Sequence, residues 1–168
     1  MTIIGHHGVD RGMSKRTGDE VTIKRASLED AATVSAITDA AYSKWIPLIG
    51  RKPEPMTVDY AEMIAKQPIH ILSVEGKPIA VLVLKHEERQ TLIWSVAVHP
   101  NYQGLGLGLR LLRLAEEEAH VRGLKSVRLY TNSLFIENVA LYKRFGYEES
   151  KRESFRGSSL VHLVKKLS

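Results

Sequence analysis

The residues with the clearest chemical potential lie in one run, Val96-Ala97-Val98-His99-Pro100-Asn101-Tyr102-Gln103-Gly104-Leu105-Gly106-Leu107-Gly108. An apolar stretch of strand length enters a loop with glycines at every second position, and an amphipathic helical pattern follows. Glycine lets a backbone approach a ligand closely and take positive φ. The N–H groups at a helix start, aided by the helix dipole, form an anion site. A pyrophosphate is the natural occupant of such a loop. Two familiar phosphate loops do not fit. A P-loop, G-x-x-x-x-G-K-[ST], needs a Lys-Ser or Lys-Thr pair that does not follow these glycines. A dinucleotide fingerprint needs G-x-G-x-x-G and an acidic residue ending the next strand. Here the spacing is G-x-G-x-G, and the next strand ends in Tyr130-Thr131-Asn132. The pattern [QR]-x-x-G-x-[GA] is met, by Gln103, Gly106 and Gly108.

The elements that must position this loop follow from hydrophobic periodicity and turn chemistry. Val21–Arg25 reads as a strand. Ser27, with Asp30 three positions on, resembles a capping box opening a helix over 28–42. Its apolar face is Ala31, Val34, Ile37, Thr38 and Ala41. Residues 43–56, with three prolines and a glycine, are expected to be loop. Thr57 is expected to cap a second helix to about residue 66, with Tyr60, Met63 and Ile64 on one face. Strands follow over Ile69–Val74, 79–84 and 91–98, the last stopped by His99-Pro100-Asn101 because proline cannot donate to a ladder. The glycine loop opens a long helix to about residue 122, with Leu109, Leu112, Ala115 and Ala119 as its stripe and Gly123 beyond its C-terminus. A strand over 127–131, a helix over 134–145 ended by Gly146 and a strand over 160–167 complete the chain. Residues 21–168 thus predict one α+β unit. Residues 1–20 read as a polar, Gly-rich extension outside it, with Met13 as an alternative start. His6-His7 reads as surface, because no third metal ligand stands nearby.

Composition narrows the classes. The chain has 168 residues, one domain's worth, and is large enough to bury a core without a disulfide or metal staple. It has no cysteine, which excludes disulfide frameworks, cysteine-ligated metal and a thiol nucleophile, and accords with a reducing, cytoplasmic setting. Apolar runs are of strand length, so no membrane span or secretory signal is expected. The formal net charge of +5 is compatible with an anionic partner or with solubility alone. Nucleic acid as the partner predicts clustered basic residues with interleaved aromatics. Instead the basic residues are scattered among acids, such as Arg113 near Glu116, Glu117 and Glu118.

The glycine loop after a strand ending in His-Pro resembles the GNAT superfamily of acyl-CoA-dependent N-acyltransferases. A second signature lies in Glu137-Asn138-Val139-Ala140-Leu141-Tyr142-Lys143-Arg144-Phe145-Gly146-Tyr147, which looks like that family's E-N-x-x-L-Y-x-x-x-G-[FY] element. The resemblance covers about residues 21–167. It implies a GNAT fold, a central mixed, mostly antiparallel sheet of six to seven strands flanked by about four helices. It implies acetyl-CoA as cofactor, its pyrophosphate cradled by Gln103, Gly104, Leu105, Gly106, Leu107 and Gly108. Val96, Ala97 and Val98 would pair with the pantetheine arm like an added strand. By the same resemblance a main-chain N–H near those residues polarises the thioester carbonyl. Asn138 contacts the cofactor, and Tyr142 also binds it and serves as general acid to the CoA sulfur.

The reaction so implied is direct transfer of an acetyl group to an amine of a small molecule or protein, in a ternary complex without metal. The alternative for Tyr142 is a core aromatic beside Leu141 and Phe145, and for Asn138 a surface polar residue; the motif match favours the functional reading of both. No general base is evident. An alkylamine with pKa near 10 must lose a proton near pH 7. Relatives often place a glutamate where this chain has Trp94 and Ser95, and another common position falls at Tyr130. Glu137 lies nearby in sequence, and a water chain held by Ser95 or Tyr130 is a substitute. Acceptor-pocket candidates are Trp45, Ile49, Arg51, Lys52, Asp59 and Tyr60, in a stretch resembling small bacterial GNAT proteins of undefined substrate. Arg110, Arg113, Lys143 and Arg144 are candidates to assist a 3′-phosphate. The missing base motivates an alternative, a non-catalytic acyl-CoA-binding or regulatory module. Homodimerisation, common among such proteins, is a further expectation.

Overall fold

Strands whose residues are apolar on both faces need cover on both faces, and helices supply it here. A computed structural model describes residues 20–168. The expected extension, Met13 and His6-His7 therefore lie outside the described residues, apart from Glu20. The strands are β1 (Val21–Arg25), β2 (Ile69–Val74), β3 (Lys77–His86), β4 (Gln90–Val98), β5 (Ser126–Asn132), β6 (Glu148–Phe155) and β7 (Ser158–Lys166). They form one seven-stranded sheet in the order β1-β2-β3-β4-β5-β7-β6. Among the described residues every strand pairing is antiparallel except β4 with β5. The helices are α1 (Ala31–Tyr42), α2 (Ile46–Ile49), α3 (Tyr60–Lys66), α4 (Leu107–Val121) and α5 (Ile136–Arg144). This is the mixed, mostly antiparallel α+β architecture that the sequence predicts.

Two apolar clusters sandwich the sheet. One gathers Leu82, Leu84, Ile93, Val96 and Val98 against Leu111, Leu112 and Ala115 of α4 and Leu141 and Tyr142 of α5. The other gathers Ile71, Val81, Val83 and Trp94 against Val34, Ile37 and Tyr42 of α1. None of the helices among the described residues is long and apolar enough to cross a membrane.

Several local expectations are corrected. The first helix begins as a 3-10 turn over Leu28–Asp30, where the Ser27 N–H donates to the Asp30 carboxylate at 2.9 Å. Residues 43–56 are not plain loop. They hold α2 between two 3-10 turns, because Pro47 is tolerated in a helix's first turn and Gly50, at φ 72°, ends it. Thr57 does not cap α3. Its hydroxyl donates to the Glu54 carbonyl at 2.7 Å, and the Asp59 carboxylate accepts the Glu62 N–H at 3.2 Å instead. The buried stripe of α4 includes Leu107 and Leu111, with Leu109 only half-buried, since the i, i+3, i+4, i+7 row runs from Gly108 through Leu111, Leu112 and Ala115. β6 was not expected at all. As a charged edge strand exposed over nearly its whole length, it has no apolar period to read.

Candidate active site

Parallel strands β4 and β5 pair only at Gln90 with Ser126, Thr91 with Val127 and Leu92 with Arg128. Beyond that point β4 continues on β3 as far as Val98 opposite Ala80, and β5 continues on β7 as far as Asn132 opposite Leu160. The two strands part, and the edge of β4 over residues 96–98 faces β5 without ladder bonds. Such an edge can accept an extended ligand as an added strand. Just before it, Val83 pairs with Ser95 and Leu84 with Ile93, so Trp94 is an extra, bulged residue. The bulge turns two consecutive side chains to one face. Trp94 packs in the α1-side cluster, and the Ser95 hydroxyl lies 2.9 Å from that of Tyr42 on α1.

The glycine turn is fastened to the end of this strand. Gln103 Nε2 donates to the Val98 carbonyl at 2.9 Å, and Lys44 Nζ donates to Gln103 Oε1 at 3.3 Å. Gly104 and Gly106 take φ of 78° and 79°, a region that favours glycine. The first helical bond of α4 runs from the Arg110 N–H to the Gly106 carbonyl at 3.1 Å. The N–H groups of Leu107, Gly108 and Leu109 therefore have no helical acceptor. Leu107 is buried in the same cluster as Val96, Val98 and Tyr142. Leu105 is exposed, and Ala97 belongs to the opposite face.

From α5, Asn138 is 1% exposed, and its buried Nδ2 has no hydrogen-bond partner among the described residues. Thr131 Oγ1 on β5 is in the same condition. Asn138 is therefore no surface residue. A buried unpaired amide carries a desolvation cost that a polar ligand would relieve, and CoA, rich in amides and phosphates, fits the donors present. Tyr142 is fully buried among Val96, Val98 and Leu107, its ring 6.2 Å from that of Tyr147 in an edge-on contact. Burial lowers the Lys44 ammonium pKa, an effect that Glu137 opposes. Arg110, Arg113 and Arg144 are exposed, and Lys143 Nζ lies 3.6 Å from Glu149.

On the α1 side, a pocket of ≈ 420 Å³ is lined by Arg51, Lys52, Glu54, Tyr130, Phe155 and Arg156, among others. Of the acceptor candidates read from sequence, Arg51 and Lys52 reach it. Asp59 caps α3, the Tyr60 hydroxyl donates to the Pro55 carbonyl at 2.6 Å, and Trp45 stacks on Phe135 at 4.3 Å. Ile49 packs against the α1-side cluster. Phe155 and Arg156 escaped sequence reading because β6 did; the Arg156-Gly157 turn before an apolar strand was the available signal. Burial and the Glu54 charge push the Tyr130 hydroxyl up to about 12, so near neutral pH it is a hydrogen-bonding group rather than a ready base.

Residues 35–147 match the family model of the acetyltransferase (GNAT) family. The chain belongs to this family. An uncharacterized N-acetyltransferase of Methanocaldococcus jannaschii is 31% identical over 91 residues, 48% of this chain. The chain matches 39% of that protein's length. The ribosomal-protein-S18-alanine N-acetyltransferase from Escherichia coli superposes with a TM-score of 0.73 at 20% identity, over 89% of this chain and 95% of that one. The PaiA N-acetyltransferase from Thermoplasma acidophilum, solved in complex with coenzyme A, gives a TM-score of 0.74 at 16% identity, over 88% and 99%. At these identities the two structures establish the GNAT fold alone.

Proposed function

We propose that this GNAT-family chain transfers the acetyl group of acetyl-CoA directly to an amine acceptor in a ternary complex. The observation that carries the reading is the parting of β4 from β5 beside a glycine turn whose N–H groups have no helical acceptor. Acetyl-CoA supplies an activated acetyl thioester. Gln103, Gly104, Leu105, Gly106, Leu107 and Gly108 hold its pyrophosphate through main-chain N–H groups at a helix start. The edge of Val96, Ala97 and Val98 takes the pantetheine amides, and the buried Asn138 amide gains a partner. Main-chain N–H groups of that edge stabilise the negative charge that develops on the thioester carbonyl oxygen. Tyr142, in the same cluster, is the proton donor to the departing thiolate. The amine nitrogen gains the acetyl group and loses a proton, which passes to water held by the Tyr130 hydroxyl.

Calorimetric titration with CoA and continuous detection of CoA release over an amine panel test this reading. Binding with amine-dependent release is the expected result. Tight binding without release from any amine, unaltered by Tyr142→Phe, leaves a non-catalytic acyl-CoA-binding module as the correct description.

A further inference from the structure

The α1-side pocket has an uneven charge. Arg51, Lys52 and Arg156 line it against Glu54 as the one acidic side chain among its described lining residues. Arg51 is held from two sides: Nη1 donates to the Ile49 carbonyl at 3.2 Å, and the guanidinium carbon lies 5.3 Å from the Phe155 ring centre. Its Nη2 is buried and has no hydrogen-bond partner among the described residues. The Arg156 guanidinium lies 5.4 Å from the same ring. Two like-charged groups are thus gathered at one aromatic ring, whose π-system attracts cations.

A buried cationic donor without an acceptor is costly, which favours a ligand that supplies one. A fixed, planar guanidinium matches the oxygens of a carboxylate or phosphate, bonding them in pairs. The pocket's size is in the range of small-molecule sites rather than of a folded partner. We infer that the acceptor amine also carries an oxyanion, a carboxylate or a phosphate, which seats on Arg51 and Arg156 while its amino end faces Glu54 and Tyr130. This assignment names the acceptor of the acetyl transfer proposed above and so rests on that reading.

The full chain, with CoA present, is titrated calorimetrically with α-amino acids, ω-amino acids and aminoalkyl phosphates, each beside its amide or alcohol counterpart. The same compounds are then assayed with acetyl-CoA for CoA release. The expected result is that an oxyanion-bearing amine binds, and is acetylated, at least about tenfold better than its uncharged counterpart; the carboxylate and phosphate arms identify the group. Arg51→Met and Arg156→Met should each lower that preference about tenfold, chiefly through KM, with CoA affinity retained as evidence of folding. Lys66→Met, on the solvent face of α3, serves as the control. Equal or better use of uncharged amines overturns the inference while leaving acetyl transfer intact, as does an unchanged preference in both arginine variants. Binding of an oxyanion-bearing amine, weakened by Arg51→Met but without turnover of any compound, supports the pocket and overturns acetyl transfer. Absence of both binding and turnover across the panel overturns the inference.

Discussion

The Tyr42 hydroxyl lies 2.9 Å from the Ser95 hydroxyl, and this contact ties the end of α1 to the bulged segment of β4 just before the strands part. Both residues are fully buried. Tyr42→Phe leaves the Ser95 hydroxyl without its tyrosine partner and should cost about 1–3 kcal/mol of stability. A double-mutant cycle with Ser95→Ala, read by urea unfolding, should give a coupling of about 1 kcal/mol. Additive single effects would mean that the contact does not position the bulge.

Tyr142 separates a chemical role from a packing role. If it protonates the departing thiolate, Tyr142→Phe should lower kcat by roughly 100-fold while CoA affinity stays within about twofold. The ring and its edge-on contact with Tyr147 survive the substitution, so the unfolding midpoint should move little. A variant that loses stability and CoA binding while keeping kcat would make Tyr142 a core residue only.

Gly106 precedes α4 at φ 79°, and a Cβ there would meet nothing within 4 Å. Gly106→Ala therefore strains the backbone alone, by about 1–2 kcal/mol. Relaxation of that strain would turn the N–H groups of the turn away from their present direction. Calorimetry should show CoA affinity reduced about tenfold; full affinity would place the pyrophosphate elsewhere.

His70 and His86 both face Glu118, with Nε2 atoms 3.0 and 3.5 Å from its carboxylate oxygens. Burial holds both imidazoles below the ordinary value of 6.5; nearby Arg25 and Arg122 add to this, against the pull of Glu118. The unfolded chain therefore binds more protons than the folded chain between the depressed pKa values and 6.5. Stability should be fully present above about pH 6.5 and fall as pH drops through that window. Thermal melts across pH 5–8 should show this slope, and His70→Gln should flatten it. A wild-type melting temperature constant over the same range would contradict the linkage.

Much of the fold was legible because its signals are local. The alternation of Val21–Arg25, the largely apolar runs of β2 to β4, and the glycines at 104, 106 and 108 each speak through neighbours in sequence. β6 was illegible for the converse reason. Both its faces are largely solvated, so Glu148–Phe155 carries no pattern, and only pairing with β7 makes it a strand.

The sequence by itself determined the order of β1 to β5 and β7 with α1, α3, α4 and α5, the glycine turn before α4 and the family motif around Asn138 and Tyr142, because spacing along one strand, turn or helix encodes them. Only the tertiary structure decided where β4 and β5 part, since register between strands paired 36 residues apart is set by the packing of the whole sheet. It also decided that Asn138 is buried and that the Arg51 and Arg156 guanidinium groups both come to the Phe155 ring. Arg51 lies more than 100 positions from Phe155 and Arg156 in sequence, and no local periodicity can carry a contact over that distance.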